Sequence, residues 1–207
     1  MDFMTSNMPL ASKITIMAYI GTYYAIGSAW VLTTLNYFLI GFFNGWLDHY
    51  YLQSFRVYFA IIFVFTILGN FALGILRYRI EEGALIKGMA ENIKWIPLLT
   101  VFLGGISLHV SQALFCHFFS IDMEWGATTK EHEDVRFFQA IKHVVRKFRW
   151  SFMFCFGMTG VMLTMRFALQ EDWQIKLLVA IWPMGTVVVN HFLLPLVLNP
   201  QLMTFTW

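Results

Sequence analysis

The sequence predicts an all-α, polytopic membrane protein, and two features support this fold class. Of the 207 residues, 58% are apolar and only 13% are charged, whereas soluble domains carry about 25% charged residues. Four apolar runs also reach the length of about 20 residues that a helix needs to cross the hydrocarbon of a bilayer. Because backbone polar groups in lipid must be paired within the protein, these runs are expected to be helices rather than exposed strands.

The predicted spans are residues 14–43, 57–76, 151–169 and 175–198. The first is longer than a bilayer requires, so it is expected to tilt or to extend past the headgroups. Only residues 170–174 separate the last two, which predicts a tight helical hairpin. In the first span, Gly21, Ala25 and Ala29 form a stripe of small residues, which predicts close approach of another helix.

Residues 81–120 are more ambiguous. Leu85, Met89 and Ile93 recur at four-residue steps among charged side chains, a pattern typical of a helix lying in the interface. Residues 96–119 are apolar enough to cross once, but polar side chains and the pair Gly104-Gly105 interrupt them. This segment therefore contains either interfacial or re-entrant helices, or a fifth span.

The distribution of basic residues favours the first alternative, since cytoplasmic loops concentrate Lys and Arg. Arg77 and Arg79 place the end of the second span in the cytosol, and the basic residues of 136–149 place the start of the third span there too. An even number of crossings must then separate them, so we expect residues 81–120 to enter and leave from one side, hinged near Gly104-Gly105. We therefore expect a multi-pass protein of the plasma membrane or an endomembrane, with both termini in the cytosol.

Residues 135–150 alternate apolar and basic side chains at helical spacing. This pattern predicts an amphipathic helix on the membrane surface, attracted to anionic lipid. Phosphate binding is the alternative. Nucleic-acid binding is not implied, because this single basic cluster lies between two apolar runs.

The polar segment 121–131 holds the candidate site residues Trp125, Thr128 and Lys130. An indole can stack on a ring, a hydroxyl can donate a hydrogen bond and an ammonium can hold a diphosphate. The alternative is a helix start, in which Thr128 and Glu131 form a capping box and Trp125 anchors the chain at the interface.

Trp-x-Ala-Thr-x-Lys at 125–130 resembles the gating loop Phe-x-Val-Thr-x-Lys of processive family 2 glycosyltransferases, the cellulose synthase-like enzymes related to chitin and hyaluronan synthases. The flanking residues are similar to those of fungal-type members. The order of elements is also similar along the whole chain: two spans, an amphipathic segment, the loop, a basic helix and two spans. The resemblance implies that Trp125, Thr128 and Lys130 form a gate that covers the sugar donor.

The resemblance further implies a membrane-embedded part that guides a growing polysaccharide across the bilayer. The intact family enzyme uses a UDP-sugar and a divalent metal, bound by a cytosolic domain with Asp-x-Asp, a second acidic motif and Gln-x-x-Arg-Trp. None of these motifs is present, and Arg146-Lys147-Phe148-Arg149-Trp150 departs from the last one and follows the loop instead of preceding it. We therefore expect a fragment with no catalytic residue, no metal ligand and no cofactor of its own, which depends on a catalytic domain from elsewhere.

A second hypothesis rests on the histidines in apolar segments, since polar groups at membrane depth are costly and often functional. His109 and His117 lie eight residues apart, about two helical turns, so they share a helix face roughly. They could ligate a haem in a small multi-span protein that binds haem or a partner helix protein. Hydrogen bonding across helices is the plainer interpretation, and it also applies to His191.

Overall fold

The computed structural model describes residues 2–50, 54–80, 83–122, 145–146 and 148–197. Regular structure in these ranges is entirely helical, which confirms the predicted all-α class. The α-helices are α1 (Asp2–Thr5), α2 (Leu10–Tyr50), α3 (Ser54–Ile62), α4 (Gly69–Arg79), α5 (Leu85–Gly105), α6 (Ser107–Phe118), α7 (Arg149–Leu163) and α8 (Leu178–Val197). A π-helical turn, Phe63–Leu68, joins α3 to α4, and a second, Thr164–Ala168, extends α7.

Within these ranges, four helices are long and apolar enough to cross a membrane: Leu10–Phe43, Phe55–Arg79, Arg149–Ala168 and Leu178–Pro195. They correspond to the four spans that the sequence predicts, and they make the chain a multi-pass membrane protein. The first extends beyond the predicted run at both ends as one 41-residue helix, because no proline interrupts it.

A bent pair of helices, α5 and α6, occupies the ambiguous segment 81–120. The two axes differ by 41° across the single residue Ile106, so the pair is either one broken span or a re-entrant loop. The bend directly follows Gly104-Gly105, where the sequence predicts a hinge. Pro97 lies inside α5 without ending it.

Helix α8 lies at the centre of the bundle and contacts α2, α5 and α7, while α6 packs on α2 and α4 packs on α5. In the apolar window of Leu178–Pro195, 33% of the residues are buried, against 6% for Phe55–Arg79. The main core cluster joins three spans and the last connection, through Tyr37, Ile40, Cys155, Ile175, Ala180, Met184 and Val188. The remaining apolar surface of the spans faces outward, as expected for helices that contact lipid.

The connection between α7 and α8 is short and closed by hydrogen bonds, as the predicted hairpin requires. The backbone N–H of Ile175 donates to the carbonyl of Met165 at 3.0 Å, and Gln174 Nε2 donates to the carbonyl of Leu169 at 2.7 Å. Ile175 is fully buried although α8 begins only at Leu178. Its side chain packs on Gly41, where a Cβ would come within 2.6 Å of it.

Helix α2 packs closely on α6 at Gly27, which is not part of the predicted small-residue stripe. A Cβ at Gly27 would lie 2.9 Å from Leu114 Cδ1 on α6, whereas nothing lies within 4 Å of one at Gly21. Two residues of the predicted stripe, Gly21 and Ala25, are exposed, whereas the third, Ala29, is half-buried.

The first half of α5 contacts α4 through Met89, one residue of the predicted apolar stripe. Met89 contacts Gly74 on α4, but Ile93 is 60% exposed and the polar Asn92 is buried. Arg77 Nη1 donates to Asn92 Oδ1 at 3.2 Å. The same guanidinium lies 3.6 Å from Glu91, so a polar cluster fixes α5 against the end of α4.

Candidate functional site

The three predicted gate residues, Trp125, Thr128 and Lys130, lie outside the described residues, as does most of the basic segment 135–150. The structure does describe the helices on either side. Helix α6 ends at Phe118 and α7 begins at Arg149.

A pocket of about 360 Å³ opens where α6 and the start of α7 meet the middle of α2. Its walls combine aromatic rings with neutral polar groups. The lining residues are Trp30, Leu108, His109, Ser111, Gln112, Phe115, Phe148, Trp150 and Ser151. Its size lies within the range of about 300–1,000 Å³ that is typical of small-molecule sites.

Two of the aromatic walls are held by edge-to-face packing. The ring of Phe148 lies 5.0 Å from His109, with the planes 78° apart. Trp30 packs similarly on Phe154, at 5.6 Å and 81°. Because such arrangements are favourable for aromatic pairs, they fix the ring orientations before any ligand enters.

The other two aromatic residues form the outer rim. Phe115 is 62% exposed and Trp150 is 60% exposed. The guanidinium of Arg149 lies 5.3 Å from the Trp150 ring centroid, a cation–π distance. The rim therefore offers broad aromatic surface to a molecule that enters the pocket.

Ser111 fixes the indole of Trp30 through a relay between α2 and α6. Trp30 Nε1 donates to Ser111 Oγ at 2.9 Å, and the serine hydroxyl donates to the backbone carbonyl of Gly27. Indole is only a donor, whereas a hydroxyl both accepts and donates, so the relay has one direction. It ties the pocket wall to the close helix contact at Gly27.

Two other polar groups of the lining have no hydrogen-bond partner. These are His109 Nε2 and Ser151 Oγ, both buried atoms, and the Ser151 residue is only 1% exposed. Buried polar atoms are usually paired, and leaving one unpaired costs about 1–3 kcal/mol. Both residues belong to the lining of the pocket, although these two polar atoms are themselves buried.

A second polar contact lies deeper, between the bent pair and the last span. Ser107 Oγ lies 3.0 Å from His191 Nε2, and His191 Nδ1 lies 2.8 Å from the carbonyl of Val187. A carbonyl only accepts, so Nδ1 carries the proton and Nε2 accepts from the Ser107 hydroxyl. Both residues are buried, at 2% and 0% exposure, which makes this contact a structural link rather than an accessible reactive pair.

The two histidines of the haem hypothesis have different environments. His109 lines the pocket, whereas His117 is exposed and is not part of the lining. Among the described residues, no group of three or more His, Cys, Asp or Glu side chains could hold a metal ion.

Sequence patterns did not identify Trp30, Phe148 or Ser151 as parts of one site. They lie up to 121 positions apart in the chain, and no spacing pattern in the sequence connects them. No known protein family, curated protein or solved structure matches this chain.

Proposed function

We propose that this chain is the membrane-embedded translocation and gating part of a polysaccharide synthase, which transfers sugar from a nucleotide-diphosphate donor to a growing glycan. The observation that carries the proposal is the pocket at the junction of α6 and α7. These are the two helices that the sequence joins through the Trp-x-Ala-Thr-x-Lys segment.

The chemistry of the pocket suits a sugar unit. The C–H faces of a pyranose ring pack on aromatic rings, which Trp30, Phe115 and Trp150 supply. Sugar hydroxyls need neutral donors and acceptors, which the exposed amide of Gln112 provides. Sites of this kind combine a mostly apolar wall with a few placed polar groups.

In this proposal, Trp125 stacks on the donor, Thr128 donates a hydrogen bond to it, and Lys130 is a point-charge partner for its diphosphate. The chain does not catalyse transfer by itself. A cytosolic catalytic domain from elsewhere supplies the acidic groups that bind the UDP-sugar and a divalent metal. The lipid bilayer and the growing polysaccharide are the other partners.

Joining the chain to such a catalytic domain is expected to give polymer synthesis in vesicles, measured as incorporation of radiolabelled sugar. Lys130→Ala should reduce the rate severalfold, because the diphosphate loses its cation. Lys87→Ala removes an exposed lysine of α5 and is the matched control. An unchanged rate in the Lys130 variant would contradict the gate. If the fusion makes no polymer, the proposed function fails.

In the proposed topology, residues 121–150 lie on the cytosolic side of the membrane, where the catalytic domain acts. Cysteine labelling of intact vesicles tests this topology. In a background without Cys116 and Cys155, Asp134→Cys and Asp172→Cys should label from opposite sides. Ala84→Cys, at the exposed start of α5, should label from the same side as position 134 if α5 and α6 are re-entrant. If positions 134 and 172 are labelled from the same side, the proposed topology is wrong. If positions 84 and 134 are labelled from opposite sides, the bent pair is a fifth span.

A further inference from the structure

The first turn of α7 brings hydrogen-bond donors and positive charges together. Its N-cap residue, Phe148, makes no side-chain capping hydrogen bond, and the backbone N–H groups of a first helical turn have no partner within their own helix. Arg149 is the first residue of the helix and is exposed, as is Arg146 three residues earlier. Because a helix N-terminus also carries a partial positive charge, this turn favours an anion.

Two side chains of the same turn support an anion independently. Ser151 is only 1% exposed, and its buried Oγ has no hydrogen-bond partner in the described part of the chain. The guanidinium of Arg149 lies 5.3 Å from the centroid of the Trp150 ring. That contact still leaves N–H donors for an anion, since a guanidinium has five of them. The turn is therefore rich in donors and still needs an acceptor.

The position of this turn in the membrane indicates where the anion comes from. Arg149 begins the candidate span Arg149–Ala168, so it lies at the level of the lipid headgroups. Further along the same helix, Met153 and Phe156 are 61% and 67% exposed. Gly157 is exposed beside them, and nothing lies within 4 Å of a Cβ added to it. The missing side chain leaves a shallow groove on the lipid-facing surface, of a width that suits an acyl chain.

We propose that α7 binds an anionic phospholipid. Its phosphate lies at the first turn, on Arg149 and the free backbone N–H groups, and one acyl chain packs against Met153 and Gly157. This site is more specific than a general attraction of basic residues to the membrane surface, because it requires one headgroup contact and one chain contact on the same helix. It does not depend on the proposed function, since the lipid lies on the outer surface of the span.

Native mass spectrometry of the full chain in detergent tests the headgroup contact, with phosphatidylglycerol and phosphatidylcholine of identical acyl chains as the probes. We expect phosphatidylglycerol to bind at least fivefold more tightly. Arg149→Gln should reduce its affinity about fivefold, the usual contribution of one basic residue near an anionic membrane surface, and Arg149→Lys should retain part of it. Arg79→Gln is the matched control, because Arg79 is an exposed arginine at a helix C-terminus, where the helix dipole disfavours anions.

A second variant tests the acyl-chain contact without changing any charge. Gly157→Leu fills the groove and should weaken phosphatidylglycerol binding severalfold. Gly21→Leu is its matched control, since Gly21 is also exposed and nothing lies within 4 Å of its added Cβ. Inorganic phosphate at millimolar concentration should not displace the lipid, because it lacks the chain contact.

Equal binding of the two lipids by the unmodified chain would overturn the proposal, whatever the variants do. An effect of Arg79→Gln as large as that of Arg149→Gln would mean that basic span ends attract lipid in general, and the site at α7 would be rejected. Displacement by inorganic phosphate, with no effect of Gly157→Leu, would make the ligand a soluble phosphate instead of a lipid. If Arg149→Gln does not fold, Arg149→Lys and Gly157→Leu still decide between these outcomes.

Discussion

Replacing Gly105 with alanine is expected to destabilise the folded bundle by about 1–3 kcal/mol, the usual range for overpacking. A Cβ at this position would overlap the backbone carbonyl of Asn190 and come within 2.9 Å of Leu194 Cβ. Neither group can rotate aside, because both are attached rigidly to the backbone of α8. Helices α5 and α8 would have to move apart, and their contact is the most extensive between helices in the described bundle.

Thermal unfolding of the purified proteins, all in the same detergent, would measure the loss of stability caused by Gly105→Ala. Gly88→Ala is the matched control, since it lies on the same helix and nothing lies within 4 Å of its added Cβ. Alanine is favoured over glycine in a helix by up to about 1 kcal/mol, so the control should be neutral or slightly stabilising. Equal unfolding temperatures for the two variants would contradict a role for close packing at Gly105.

The position of the bend could be predicted from the sequence, but the reason for its glycines could not. Gly104-Gly105 suggests flexibility, yet the break falls at Ile106, whose φ of −83° and ψ of −12° are open to any residue. The glycines are required by the approach of Asn190 from a helix far along the chain. The approach of Asn190 cannot be predicted from the spacing of residues in the sequence, because it arises only when α5 packs on α8.

The spans were predictable because lipid imposes one simple requirement, about 20 apolar residues in succession. The candidate site was not, because its residues meet through packing between distant segments. Trp30 and Ser111 are 81 positions apart, and Ser107 and His191 are 84 apart. The sequence identifies His191 as a polar residue in an apolar run, but it does not indicate which hydroxyl group pairs with it.

Breaking the contact between Ser107 and His191 is the second change with a large expected effect. Ser107→Ala leaves His191 Nε2 unpaired in a fully buried position, which costs about 1–3 kcal/mol. His191→Phe removes the acceptor instead. The stranded Ser107 hydroxyl can then donate to a carbonyl of its own helical turn, as serine often does in helices. Ser107→Ala is therefore expected to destabilise the protein by more than the removal of one hydroxyl group would by itself, because it also leaves His191 Nε2 unpaired.

A double-mutant cycle with both variants measures the coupling energy between the two side chains. Hydrogen bonds between membrane helices contribute on average about 0.6 kcal/mol and at most about 1.7, and we expect a coupling in the upper half of that range because both residues are buried. Thr100→Ala is the control, since its hydroxyl donates within α5 to the carbonyl of Ile96 at 2.8 Å. A coupling energy of zero would mean that the contact does not hold the bent pair against the last span, and the pocket wall on α6 would then depend on packing and on the hydrogen bonds of Ser111 with α2.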